Sequence, residues 1–246
     1  MPKLLDRVRE AMRTAHYSLR TEEAYLGWIR RFILWHGKRH PIEMGEAEVA
    51  AFLSDLAIVG NVAASTQNQA RNAILYLYKS ILERPLEPIA GIAPAKRPKR
   101  LPVVLARAEV RAVLAEMDGT RWLMASLLYG SGLRLMECLR LRVKDVEFGA
   151  GRLVVRDGKG QTDRVTVLPR RLRDPLARQI QAVGAIHRDD LAEGFGRVHL
   201  PHALARKYPE ADRSTTWQYV FPASKRGVDP RDGLVRRHHS AETALQ

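Results

Sequence analysis

Prolines at positions 85, 88, 94, 98 and 102 interrupt this 246-residue chain. Each lacks a backbone N–H and has a fixed φ, so neither a helix nor a central strand can run through the segment. Whatever folds on either side must close its own core. Lys96, Arg97, Lys99 and Arg100 stand among the prolines, which makes residues 85–102 a basic, semi-rigid linker. Two domains follow, over residues 1–84 and 103–246. The linker reads either as a solvated spacer or as a positive tether between two halves of a clamp around a polyanion.

Charge narrows the partner. Lys and Arg number 41 against 27 Asp and Glu, a formal net charge of +14. Cations set against phosphates release condensed counterions, so nucleic acid is the expected partner. An anionic membrane surface is the competitor, but no segment combines a basic face with a free apolar one. With 46% hydrophobic residues the chain can bury a core, which excludes a disordered basic tail. No run reaches the roughly 18 apolar residues of a membrane span, and Met1 to Asp6 lack the apolar stretch of a signal peptide, so a cytoplasmic protein is expected. Cys138 is the one cysteine, which excludes an internal disulfide and a cysteine-based zinc site.

Helical periodicity dominates the first domain. Thr21 is placed to cap a helix with Glu22 and Glu23 in its first turn, and Tyr25, Trp28, Ile29, Phe32 and Ile33 follow on one face. Val49, Phe52, Leu53 and Leu56 repeat the stripe, as do Ala70, Ala73, Ile74, Leu77, Tyr78 and Ile81. With Leu4 to Ala15 these make four helices. The second domain is mixed. Helices are predicted around 108–117, 122–129 and 133–141, then a β-hairpin from Leu153–Val155 and Val165–Leu168 about the turn Gly158–Gly160, then a helix to about His187. Residues 188–233 are rich in turn formers, with a short strand expected at Tyr219–Phe221.

Two residues in this domain could carry chemistry. Arg134 follows Ser131 and Gly132 at a helix start, where a guanidinium beside free N–H groups suits a phosphate oxygen. The plainer reading is a solvated surface arginine. Lys159 lies between Gly158 and Gly160 at the hairpin tip, where the chain can approach a ligand and an ammonium could give a proton to a leaving oxygen. An ordinary Gly-rich turn is the alternative.

The run Tyr129-Gly130-Ser131-Gly132-Leu133-Arg134, continuing through Glu137 and Leu141 to Lys144-Asp145-Val146, resembles the first catalytic block of the tyrosine recombinases. Gly158-Lys159-Gly160, with Arg164-Val165 and Leu168-Pro169, is similar to their hairpin lysine motif. Within that family the integron integrases are the nearest likeness. His16-Tyr17-Ser18, Trp28 to Phe32, His36 to Pro41, and the stretch 195–222 with Trp217-Gln218-Tyr219-Val220-Phe221-Pro222 resemble them, the last being similar to their distinguishing insertion, here about 188–233.

The resemblance implies a mainly α protein. A four-helix SAM-like core-binding domain would precede a mixed α/β catalytic domain with a small β-hairpin or sheet, the latter incomplete here. It implies site-specific recombination of gene cassettes through a 3′-phosphotyrosyl intermediate, with no metal and no cofactor. Arg134 would stabilise charge on the non-bridging oxygens, Lys159 would be the general acid, and Glu137 would orient Arg134. DNA would be held by Lys96, Arg97, Lys99 and Arg100 in the linker, with Trp217, His238 and His239 stacking on extrahelical bases of folded single-stranded sites alongside duplex ones. For Trp217 a core role is the alternative, and for the two histidines a solvated basic turn.

The family pattern continues past the hairpin with a His-x-x-Arg block, a His or Trp, and a nucleophilic tyrosine. The one His-x-x-Arg here is His36 to Arg39, in the helical domain, and Tyr208 and Tyr219 both lie in the insertion. The expectation is therefore an integrase cut short at its C-terminal side, binding DNA without cleaving it. The family assembles as a tetramer on DNA by exchanging a C-terminal helix, and the resemblance leaves that assembly in doubt for a chain cut short there. From a different class comes a non-catalytic DNA-binding module that occupies recombination sites.

Overall fold

A computed structural model describes residues 3–87, 103–156, 162–201, 204–230 and 232–245. The chain divides into two compact units, Met1–Pro102 and Val103–Gln246. The linker cations Lys96, Arg97, Lys99 and Arg100, and Lys159 with its flanking glycines, lie outside the described residues. No helix among the described residues is long and apolar enough to cross a membrane.

The first unit is built from α1 (Leu4–Thr14), α2 (Leu19–Trp35), α3 (Glu46–Ile58) and α4 (Ala64–Tyr76), the last running on into a π-helical turn, Leu77–Ile81. The apolar stripes meet where periodicity puts them: Phe32, Phe52, Leu53, Ile74 and Tyr78 form one cluster, and Val8, Met12, Ile29 and Leu77 a second. Tyr78 carries its hydroxyl into the core and donates it to the Pro41 carbonyl at 2.9 Å. Burial pushes that phenol up to about 12. The α2 cap differs from expectation. Ser18, not Thr21, takes the N-cap, its hydroxyl accepting from the Thr21 N–H at 3.2 Å, so the helix starts one turn earlier. Residues at the start of the linker are part of this unit: Leu86 packs on the larger cluster and the Glu87 N–H bonds the Glu46 carboxylate at 3.0 Å.

In the second unit α5 (Arg107–Ala115) and α6 (Gly119–Ser131) precede the five-residue α7 (Leu135–Leu139). A three-stranded antiparallel sheet follows, β1 (Val146–Glu147), β2 (Arg152–Val155) and β3 (Arg164–Val167), in the order β1-β2-β3. Sequence periodicity predicts the β2–β3 hairpin but not β1, since two residues carry no readable alternation. Register pairs Leu153 with Thr166 and Val155 with Arg164, so these four share a face. Leu153 and Val155 enter a core with Leu127, Leu139, Leu176 and Phe221. Gly132 ends α6 at φ +62°, a left-handed conformation suited to glycine. Gly130 has no room for a side chain, since a Cβ there would stand 2.8 Å from Pro169.

The 20-residue α8 (Arg173–Ala192) leads into the turn-rich segment, which holds the four-residue α9 (Leu204–Lys207) and a two-stranded ribbon of β4 (Gly227–Val228) and β5 (Val235–Arg236). The strand expected at Tyr219–Phe221 is absent: Tyr219 makes only an isolated bridge with Arg142. Tyr219, Val220 and Phe221 are all buried, so their apolar run reflects core burial rather than a sheet position.

Candidate active site and nucleic-acid interface

Arg134 leaves α6 just beyond the Gly132 turn and becomes the N-cap of α7, with extended backbone. That places Glu137 one turn on. The Glu137 carboxylate accepts the Arg134 backbone N–H at 2.9 Å and the Arg134 guanidinium at 2.6 Å. From β3, Arg164 adds a third bond to the same carboxylate at 2.6 Å and a fourth to the Gly132 carbonyl at 3.1 Å. Thr166 anchors the strand, its hydroxyl donating to the Ser131 carbonyl at 2.6 Å. The Glu137 side chain is 6% exposed and that of Arg134 59%. A buried anion thus holds two guanidiniums while one faces solvent, leaving the cluster a net positive charge toward an incoming phosphate.

Burial works against the charge on Glu137, but the hydrogen bonds from Arg134 and Arg164 outweigh it and hold the carboxyl below the ordinary range. A depressed folded-state pKa contributes stability that is present above the unfolded value and lost as pH falls through the folded one. On acidification from about pH 5 to about pH 3, the wild-type protein is therefore expected to lose more unfolding free energy than Glu137→Gln. Denaturant titrations of both proteins across that window check this. Parallel pH profiles would mean that the carboxylate is not differentially stabilised in the fold.

A cleft of about 430 Å³ adjoins this cluster, with Glu137 in its wall. Arg140, Arg142, Lys144, Arg156, His199 and His238 supply its charge and polarity, and Trp217 and Tyr219 its aromatic surface. The Lys144 ammonium sits 4.0 Å from the centre of the half-buried Trp217 ring, and the Arg142 guanidinium 4.6 Å from that of Tyr219. Burial lowers the pKa of Lys144 despite the opposing pull of Asp145. Asp145, itself buried, accepts from Arg156 at 2.8 Å, and Arg156 reaches Asp163 at 3.2 Å. Arg156 and Asp163 stand in the chain on either side of residues 157–161, which lie outside the described residues.

The structure therefore brings Arg134 together with Glu137, and sets Trp217 and His238 in one cleft. His239 lies beside them: its ring is 4.1 Å from His238 and 5.4 Å from Tyr219, and its Nδ1 bonds the Ser240 carbonyl at 2.8 Å. Burial lowers the pKa of His239. Tyr219 is buried and its hydroxyl accepts from Arg142 at 3.3 Å. Sequence reasoning missed Arg142, Lys144, Arg156 and the tie from Arg164 to Glu137. The available signal for Arg164 was the hairpin register, which puts it on the inward face. The other three reach the cleft through loop geometry that has no period.

The sequence matches the family description "Phage integrase, N-terminal SAM-like domain" over residues 4–88 and "Phage integrase family" over residues 104–195. It is 46% identical over 244 residues to an integrase/recombinase of Escherichia coli, a match that spans 99% of this chain and 72% of that protein. Tyrosine recombinase XerA of Thermococcus kodakarensis is 30% identical over 167 residues, 66% of this chain and 56% of its own length. Among solved structures, a lambda integrase tetramer bound to a Holliday junction superposes with a TM-score of 0.55 at 18% identity, over 74% of this chain and 54% of that one. The Tn1549 transposon integrase bound to transposon right-end DNA gives 0.55 at 15% identity, over 74% of this chain and 66% of that one. At these identities the two structures share the fold.

Proposed function

This chain belongs to the phage integrase, or tyrosine recombinase, family, and from that premise we propose that it is a cytoplasmic recogniser of DNA recombination sites of the integron type. The reaction class is site-specific recombination through a 3′-phosphotyrosyl intermediate. Arg134 donates to a non-bridging phosphate oxygen, Glu137 positions Arg134, and Lys159 is the proton donor to the 5′-oxygen. A nucleophilic tyrosine and a His-x-x-Arg block beyond the hairpin are not among these 246 residues. By themselves, then, they bind DNA and leave its backbone intact. The linker cations Lys96, Arg97, Lys99 and Arg100 track phosphates.

One observation carries the reading: the aromatic and cationic cleft beside the Arg134–Glu137–Arg164 cluster. A flat ring backed by Lys144 gives an unpaired base a stacking surface, and the surrounding cations neutralise the phosphates that flank it. Trp217, His238 and His239 are the stacking residues on this reading.

A gel shift at fixed salt tests it, comparing a folded single-stranded cassette-site hairpin bearing extrahelical bases with the fully paired duplex. The hairpin is expected to bind more tightly, the preference vanishing on deletion of the extrahelical bases and falling about tenfold or more in Trp217→Ala, since base stacking contributes about 1–3 kcal/mol per base. Equal binding to both forms would reduce the function to generic DNA binding. A covalent adduct on nicked DNA would overturn the non-cleaving assignment.

A further inference from the structure

The sheet of the second unit has two ends, and the cleft takes up only one. Val154 and Val155 at the C-terminal end of β2, with Arg156 beyond them, line that cleft. At the other end Arg152 opens β2, about 13 Å along the strand from Arg156 at about 3.3 Å per residue. Arg152 pairs in register with Val167, and the next residue, Leu168, donates its N–H to the Gly151 carbonyl at 2.9 Å. The chain then passes Pro169 into a single 3₁₀ turn, Arg170–Leu172, and α8 begins at Arg173. Strand register and this turn thus gather Arg152, Arg170, Arg171 and Arg173 at the end of the sheet away from the cleft.

These arginines differ from those around the cleft in how their charge is met. Arg134 and Arg164 share Glu137, and Arg156 is held by Asp145 and Asp163. Arg170 and Arg171 are exposed, and among the described residues neither they nor Arg173 has a hydrogen bond or an ion pair. Arg152 bonds Glu147 at 2.5 Å, but both side chains face solvent, where such a pair is weak. Arg173 is seated rather than free to swing. Its guanidinium lies over Gly151, where a Cβ would overlap it, and its buried Nε has no acceptor. Unmet guanidiniums at 170, 171 and 173 repel one another and weaken the compact state, so an anion from outside relieves a cost already present in the fold.

We propose that this end of the sheet is a second phosphate-binding surface, by which one chain holds a second DNA segment while the cleft holds the first. Guanidiniums meet phosphate oxygens with two parallel N–H bonds, which an ammonium cannot do. Duplex DNA carries one charge per about 1.7 Å of its axis, so a segment crossing the patch presents a phosphate to each arginine. An acidic peptide offers the same sign of charge. Nucleic acid offers it at a fixed, high density, and is the polyanion that the net charge of +14 already indicates. This inference rests on the reading that the chain binds DNA, and adds to it the bridging of two duplexes by a single chain.

The experiment is native mass spectrometry of the whole chain titrated with a short duplex, followed by affinity measurements for the first and second duplex across a salt series. Complexes of one chain with two duplexes are expected at low salt. From about 50 to about 200 mM salt the second duplex should lose about a hundredfold in affinity, as four phosphate contacts require. Arg170→Gln/Arg171→Gln removes two of the four, and should cut that loss to about tenfold and weaken the second duplex, with the first changed less than about twofold. Its thermal midpoint should not fall, since it relieves repulsion and breaks no internal bond. Arg170→Lys/Arg171→Lys keeps the charge and should restore most of the second-duplex binding, which a merely structural role would not require. One duplex per chain at every salt, two duplexes only in complexes of two chains, or a second duplex held equally by the glutamine variant would overturn the inference while leaving DNA binding intact. Displacement of the second duplex by polyglutamate of equal charge more readily than by free duplex would overturn it too, in favour of an acidic protein partner. No binding even of a first duplex would instead remove the function on which it rests.

Discussion

Raising the salt from about 50 to about 200 mM is expected to weaken binding of this protein to duplex DNA by about 10³–10⁵-fold, as for a protein that makes roughly six to ten phosphate contacts. The basis is the +14 net charge, and the exposed cations Arg20, Arg31, Arg134 and Arg140 are among the residues that can supply those contacts. Each neutralised phosphate releases condensed counterions, and the entropy of that release shrinks as bulk salt rises. A plot of log affinity against log salt gives the number of contacts directly. A charge-reversing change at a phosphate contact, Arg31→Glu for example, should make the slope shallower by about one or more. On the proposed reading, in which extrahelical bases stack on Trp217, the hairpin-over-duplex preference should change far less with salt, because stacking displaces few ions. A nearly flat dependence would mean that the positive charge is spent on internal ion pairs, as Arg236 is on Asp229 and Asp232 and Arg237 is on Asp190.

Arg142→Ala is expected to destabilise the second unit by about 3–6 kcal/mol, from two hydrogen bonds of a buried charged group at about 1.5–3 kcal/mol each. Arg142 is 8% exposed. Its guanidinium donates to the Trp217 carbonyl at 2.6 Å and the His199 carbonyl at 2.9 Å. Those two carbonyls belong to distant parts of the turn-rich segment, so one side chain ties both to the start of the sheet. The planar fork reaches them together, and a lysine offers a single ammonium, so Arg142→Lys should recover less than half of the loss. Guanidinium denaturation checks the magnitude, and Trp217 fluorescence should report local release before global unfolding. A loss under about 1 kcal/mol would show that the backbone bonds from Val143 to Gln218 and from Val220 to Leu141, with the packing of Phe221, hold the segment without the arginine.

The helical first unit was legible because its apolar positions repeat with the period of the helix that buries them. Phe32, Phe52, Ile74 and Tyr78 needed no tertiary information to be assigned to a core. The N-cap of α2 was misplaced by three residues because Ser18 and Thr21 have nearly equal capping ability, and backbone path rather than side-chain type separates them. In the second unit the hairpin was legible from its alternation, while β1 and the β4–β5 ribbon, two residues per strand, fall below the length at which alternation can be read. Tyr219–Phe221 showed the converse error: a short apolar run is compatible with a strand or with simple burial, and burial prevailed.

The same division holds at the candidate site. The motif spacing from Gly130 to Glu137 was enough to put Arg134 at a helix start and Glu137 one turn further, because a glycine break followed by a capped turn is local geometry. The net charge, the two-unit organisation and the family resemblance were likewise written in the linear order of residues. Tertiary structure alone decided that Arg164, 27 residues from Glu137, closes on the same carboxylate, and that Arg142 and Lys144 lie against Trp217 and Tyr219 across more than 70 residues of chain. Charges have no period, and a long-range ion pair leaves no trace in its neighbours' composition. Its partner is chosen by the packing that first brings the two backbones together.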